Sequence, residues 1–166
     1  MADPQEQAFQ DALMTRIGQA VMLHRGGDRE EARHRFAVLW EEAGGAAPKS
    51  EVLFHRCTIA HYMADTQDDP ADELEWDRRA LAAADALAGE RVSWGQHELA
   101  VRALYPSLHL NLAADYFKLG DAPAARAELS RARGAAGVLE EDDYGSGIRA
   151  AIDRMGTRIA GMDQLP

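Results

Sequence analysis

Cys57, His61 and Asp65 are spaced four residues apart within Phe54-His55-Arg56-Cys57-Thr58-Ile59-Ala60-His61-Tyr62-Met63-Ala64-Asp65. On a helix this spacing stacks the three side chains along one face, each within reach of the next. An imidazole beside a thiol can lower the thiol's pKa, and a carboxylate can orient the imidazole, the arrangement of a nucleophilic or redox cysteine. Thiol and imidazole are also soft-metal ligands, with His55, His97 and His109 as further donors. Against this chemistry, no oxyanion donor or strained nucleophile turn is recognisable near Cys57, and cysteine is among the most commonly buried small residues. The structural reading of Cys57 is therefore preferred. A small-molecule or metal-binding sensor, or an enzyme, using Cys57 and His61 stands as the second reading, and no cofactor or metal is assigned from the sequence.

Other polar clusters have simpler explanations. Asp68-Asp69 precedes Pro70, and an Asp before a helix-opening proline caps the helix. The run Glu140-Glu141-Asp142-Asp143 lacks the alternating oxygen ligands and central glycine of a calcium loop, and negative charge suits a helix start. No GxSxG, P-loop, HExxH or dinucleotide fingerprint occurs. One cysteine excludes an internal disulfide, and no CxxC pair offers a structural zinc site.

Eighteen Lys and Arg against 28 Asp and Glu leave a net charge of −10. Phosphate backbones and anionic lipid are repelled by such a surface, so neither nucleic acid nor membrane is expected as a partner. The N-terminal Met1-Ala2-Asp3-Pro4-Gln5-Glu6 carries no basic leader, and no apolar run is long enough to span a bilayer. The expectation is a cytoplasmic protein.

With 166 residues, 46% of them hydrophobic, the chain has enough apolar content for one packed domain over 1–166. Alanine, leucine and arginine are plentiful and β-branched residues sparse, which predicts an all-α fold. Gly26-Gly27-Asp28, Gly44 to Pro48, Asp68-Asp69-Pro70, Gly89, Gly120-Asp121 and Gly134 to Gly147 punctuate it into about seven helices. The first, about 5–25, carries Phe9, Leu13, Ile17, Ala20 and Leu23 on one stripe. The second, about 29–43, has Asp28 as N-cap with Glu31 in a capping-box-like position, and buries Ala32, Phe36, Leu39 and Trp40. A third spans about 49–66, and a fourth opens at Pro70 with Leu74, Trp76, Ala80, Leu81, Ala84 and Leu87 as its apolar positions. Ser93-Trp94-Gly95 reads as a loop or as the opening of a helix continuing through Leu99 and Leu104. Pro106 opens or kinks a helix reaching Leu119, and another runs from Asp121 to about Arg133. The last, about 144–161, presents Ile148, Ile152, Met155 and Ile159 on one face.

Two stretches share a pattern: a helix, a Gly-Asp turn, then a helix with alanine four residues past the Asp and a large apolar residue four further on. Gly27-Asp28, Ala32 and Phe36 match Gly120-Asp121, Ala125 and Leu129. Small residues let paired helices approach closely while the large one fills the adjoining gap. This pattern resembles the tetratricopeptide repeat family, whose unit is a helix-turn-helix of about 34 residues. Leu112-Ala113, Tyr116, Leu119-Gly120-Asp121, Ala125, Leu129 and Ala132 carry the resemblance best. Around Gly27-Asp28 the fit is Ala20, Leu23, Ala32 and Phe36, with Gln19 where a large apolar residue is usual. A middle unit aligns Ala60, Met63 and Trp76, but Gln67-Asp68 replaces Gly-Asp. The resemblance implies antiparallel helix-turn-helix repeats at about 13–46, 53–86 and 106–139, stacked as a short right-handed superhelix with a C-terminal capping helix at about 144–161.

Tetratricopeptide arrays bind peptides along a concave face made by the first helix of each unit. The resemblance therefore implies a non-enzymatic interaction module docking a peptide or partner helix. Carried over by position, the groove takes Met14, Ile17, Val21 and His24 from the first unit and Phe54, Cys57, His61, Ala64 and Asp65 from the second. Ser107, Leu110, Asn111, Ala114, Phe117 and Lys118 come from the third. Ile17 and Val21 stand where chaperone-binding members place the first Lys and Asn of their carboxylate clamp, so binding of a chaperone tail is not expected. Self-association as a homodimer stays open, because the first helix has no obvious polar outer face.

Overall fold

The computed structural model describes residues 3–44, 52–89 and 95–164, with the side chains of 95–99 left out. These residues form seven α-helices and no strand. They are α1 (Pro4–Arg25), α2 (Arg29–Glu42), α3 (Leu53–Asp65), α4 (Pro70–Gly89), α5 (Gly95–Lys118), α6 (Ala122–Ala135) and α7 (Asp143–Met162), with a 3₁₀ turn at Ala136–Val138 before α7. Contacts divide the chain into two compact units, Met1–Leu87 and Ala88–Pro166.

In the first unit α2 pairs with α1, and α3 packs against both. Leu13, Ile17, Ala20, Ala32, Phe36, Leu39, Ile59 and Met63 form its core, with Trp40 and Trp76 half-buried against it. Phe9 departs from the predicted stripe. It is 44% exposed, whereas Val21, outside the predicted stripe, is buried. In the second unit α5 pairs with α6, and α7 packs on both. Ala113, Ala125, Leu129, Ala132, Ile152, Met155 and Ile159 make this core. The first turn of α7 passes so close to the preceding segment that a Cβ at Gly145 would run into the Glu140 carbonyl oxygen.

The two Gly-Asp turns are built alike. Gly27 and Gly120 take φ of +90° and +77°, a left-handed conformation that ends a helix readily only in glycine. The Gly27 N–H donates to the His24 carbonyl (3.1 Å) and the Asp28 N–H to that of Leu23 (2.9 Å). Gly120 N–H donates to Phe117 (3.1 Å) and Asp121 N–H to Tyr116 (2.9 Å). Each Asp then caps the next helix, Asp28 accepting from the Glu31 N–H (3.3 Å) and Asp121 from that of Ala124 (3.1 Å). Ala32 and Ala125 are completely buried one turn later, followed by Phe36 and Leu129.

Asp69 caps α4, accepting from the Ala71 N–H at 2.8 Å, and Asp142 caps α7, accepting from the Gly145 N–H at 2.7 Å. The capping box at Asp28 is half-formed, because the Glu31 carboxylate pairs with Arg35 at 2.8 Å rather than turning back to its cap. Pro106 neither opens α5 nor ends it. The helix is already formed from Gly95 and carries Pro106 inside, buried, so packing outweighs the one backbone hydrogen bond that proline forgoes. The predicted starts of the third helix near 49 and of a loop at 93–94 fall outside the described residues.

Candidate functional site

The sequence's second reading places chemistry on α3, and burial separates the three residues concerned. Cys57 is 2% exposed. Burial, aided by the Asp77 carboxylate on α4, pushes its thiol up to about 12, so at neutral pH the sulfur keeps its proton. A protonated thiol in a closed core is neither a nucleophile nor a metal ligand. His61 is half-buried, its ring edge-on to Tyr62 at 5.2 Å, while Tyr62 stacks on Phe36 at 5.9 Å. Burial lowers the His61 pKa, opposed by the negative charge of Asp65, which itself is exposed. Cys57, His61 and Asp65 do not bring three ligand atoms within 4.8 Å of one another. His55 is half-buried with its pKa lowered by burial, its ring edge-on to Phe54 at 6.3 Å. The His97 side chain lies outside the described residues.

The groove positions divide in the same way. Ile17, Val21, Cys57 and Ala64 are buried. His24 is half-buried, and its Nδ1 has no hydrogen-bond partner among the described residues. Leu110, Ala114 and Phe117 are half-buried against the core of the second unit, and the Arg158 guanidinium lies 4.5 Å from the centre of the Phe117 ring. The Ser107 hydroxyl lies 3.1 Å from that of Tyr144. Asn111 is half-buried, and Lys118 and Met14 are exposed.

What α3 offers to solvent is a different stripe, Phe54, Thr58, His61 and Asp65. Phe54 is 42% exposed, Asp65 is exposed, and the two residues between are half-buried. They recur at helical spacing on one face, from an aromatic ring at the N-terminal end to a carboxylate at the C-terminal end. Their backs are fixed by the core residues Cys57, Ile59, Ala60 and Met63 on the same helix.

Among the described residues four charged side chains are buried, Arg56, Asp77, Asp115 and Glu128, none of them foreseen in the sequence, and Arg56 and Glu128 illustrate how such charges are held. Arg56 is 6% exposed and donates to the Trp40 and Ala43 carbonyls at the end of α2 (3.4 and 3.5 Å), its guanidinium lying 3.6 Å from the centre of the Trp40 ring. It satisfies carbonyls that the helix terminus leaves open. Glu128 on α6 is buried, accepts from Arg131 one turn on, and lies 2.7 Å from His109 Nδ1 on α5. Tyr105 stacks on His109 at 6.0 Å. The only sequence signal was a charged residue next to a core position, Cys57 in one case and Leu129 in the other.

Compared with protein-family models, with curated proteins and with solved structures, the chain finds no match. No described helix is long and apolar enough to cross a membrane.

Proposed function

We propose that this chain is a non-enzymatic interaction module of the tetratricopeptide kind, which docks a peptide or partner helix on the outward face of α3. The two hairpins support the repeat reading. They agree in turn glycine, capping aspartate, three hydrogen bonds and two buried core positions at a separation of 93 residues. In this reading α7 is the cap that a repeat array needs over its last hairpin.

The observation that carries the binding role is the α3 stripe itself. An exposed aromatic ring and an exposed carboxylate stand at its two ends, 11 residues apart, or about 16 Å along a helix. A complementary ligand has an apolar anchor for Phe54 and a cation for Asp65. The half-buried Thr58 and His61 supply polar contacts between them. Cys57 contributes packing beneath this face, not chemistry.

Selection of a displayed peptide library against the purified chain provides the test. Enriched peptides should pair an apolar residue with a Lys or Arg. Phe54→Glu and Asp65→Lys, both at exposed positions, should each weaken them at least about ten-fold, or about 1.4 kcal/mol, while leaving the unfolding midpoint unchanged. Peptides bound equally well by both variants would overturn the assignment of this face.

A further inference from the structure

α1 has a second face that the core does not use. Asp11, Met14, Gly18, Met22 and Arg25 follow one another at three- and four-residue steps along it, and all five are exposed. Met14 and Met22 are 57% and 67% exposed. A shallow depression lies over this face, lined by Gly18, Val21, Met22 and Leu23 with Arg35 at its edge.

The fold gives no reason for glycine at position 18. It sits in the middle of a 22-residue helix, where glycine is an unfavourable choice, and a Cβ there would meet nothing within 4 Å. A missing side chain on an open helix face lets another helix approach closely.

The residues on either side of Gly18 are arranged symmetrically. Met14 and Met22 stand four positions before and after it, and Asp11 and Arg25 seven positions before and after. The nearby Arg16 and Arg35 are already matched by Glu42 and Glu31. Among the described residues the Asp11 carboxylate accepts from Gln7 of its own helix and makes no ion pair, and Arg25 makes no ion pair. Asp11 and Arg25 are too far apart on one helix to meet, about 21 Å by the helical rise.

We infer that this face of α1 binds α1 of a second copy of the chain, antiparallel, about a two-fold axis passing by Gly18. Inversion about that axis sets Met14 level with Met22 of the second copy, and Asp11 level with its Arg25. The interface is then self-complementary, as a two-fold interface must be, with the methionines packed over the glycines and an ion pair at each end. A parallel pair would set Asp11 against Asp11 and Arg25 against Arg25. One helix crossing buries less than the roughly 800 Å² per partner of a standard stable interface, so the dimer is reversible. The inference does not depend on the α3 face.

Sedimentation equilibrium of the full chain at low salt tests it. The average mass should rise with concentration from 18.2 kDa toward twice that value. Gly18→Gln, which the monomer accommodates, should weaken association at least about ten-fold with no loss of helix content. D11R and R25D should each weaken it, and the double variant D11R/R25D should recover it. A mass of 18.2 kDa at every concentration would overturn the proposal. So would association that Gly18→Gln leaves intact, or a double variant no better than the single ones.

Discussion

A thiol held near 12 carries about a thousand-fold less thiolate at pH 8 than one at its ordinary value of 9.0. The folded chain should therefore react with iodoacetamide at pH 8 only at its rate of unfolding, and Cys57 should become fully reactive in denaturant. Fast labelling of the native protein would show that the thiol is open after all. His61 makes a prediction of opposite use. Burial lowers its pKa in the folded chain, so between that value and the ordinary 6.5 the unfolded chain binds more protons. Stability then falls as pH drops through 6.5, with a slope of at most about 1.4 kcal/mol per pH unit for one histidine. His55 acts in the same direction, also through burial. Urea titrations between pH 7.5 and 5 should show a shallower decline for His61→Gln than for the wild type, and equal declines would remove His61 from the account. Spacing placed Cys57, His61 and Asp65 on one helix and residue type favoured a buried Cys57, but the half-burial of His61 and the exposure of Asp65 were not legible. That depends on α2 and α4, whose Phe36 and Asp77 lie far away in sequence.

At the scale of elements, the turn glycines and the face glycine should respond oppositely to the same substitution. Gly27→Ala and Gly120→Ala force a Cβ into the left-handed region and should each cost about 1–2 kcal/mol. Gly18→Ala, on an open helix face, should stabilise the monomer by about 0.5–1 kcal/mol. Urea denaturation of dilute protein measures all three, and a neutral Gly27→Ala would contradict the turn geometry. These turns were legible in the sequence because their signals are local: a glycine that must take positive φ, an aspartate that caps, an alanine one turn on. The faces of α2 and α7 were legible from helical periodicity. Phe9 was not read correctly, and for Pro106 the sequence left two readings open, of which the structure keeps a helix that opens before it. Phe9 lies in a shallow depression beside the end of α2 at Glu42 and Ala43 and stays 44% exposed, and Pro106 is buried within α5, whose packing tolerates an interior proline. Arg56 and Glu128 were invisible for a related reason. A charge reads as surface until the structure supplies its partners, here the end of α2 and the pair His109 and Arg131.

At the scale of the whole molecule, each compact unit closes its own core around one Gly-Asp hairpin and the helix that follows it. Phe36 and Leu39 in one unit and Leu129 and Ile152 in the other are buried, while Phe9, Met14, Met22, Phe54 and Leu119 are among the large apolar residues left exposed. The surfaces proposed for partners are the α3 stripe and the α1 face, on a chain whose net charge of −10 favours cationic ligands over nucleic acid. The α3 stripe joins an aromatic contact to a carboxylate, and the two proposed surfaces lie on different helices, so peptide binding and self-association can be separated by variants in either one. Amide chemical-shift mapping of the full chain, titrated with a peptide from the library selection, tests the central claim most directly. The largest perturbations should fall on residues 54–65 of α3 and disappear in Phe54→Glu. Perturbations confined to other helices, or a binding peptide that leaves α3 unmoved, would contradict it.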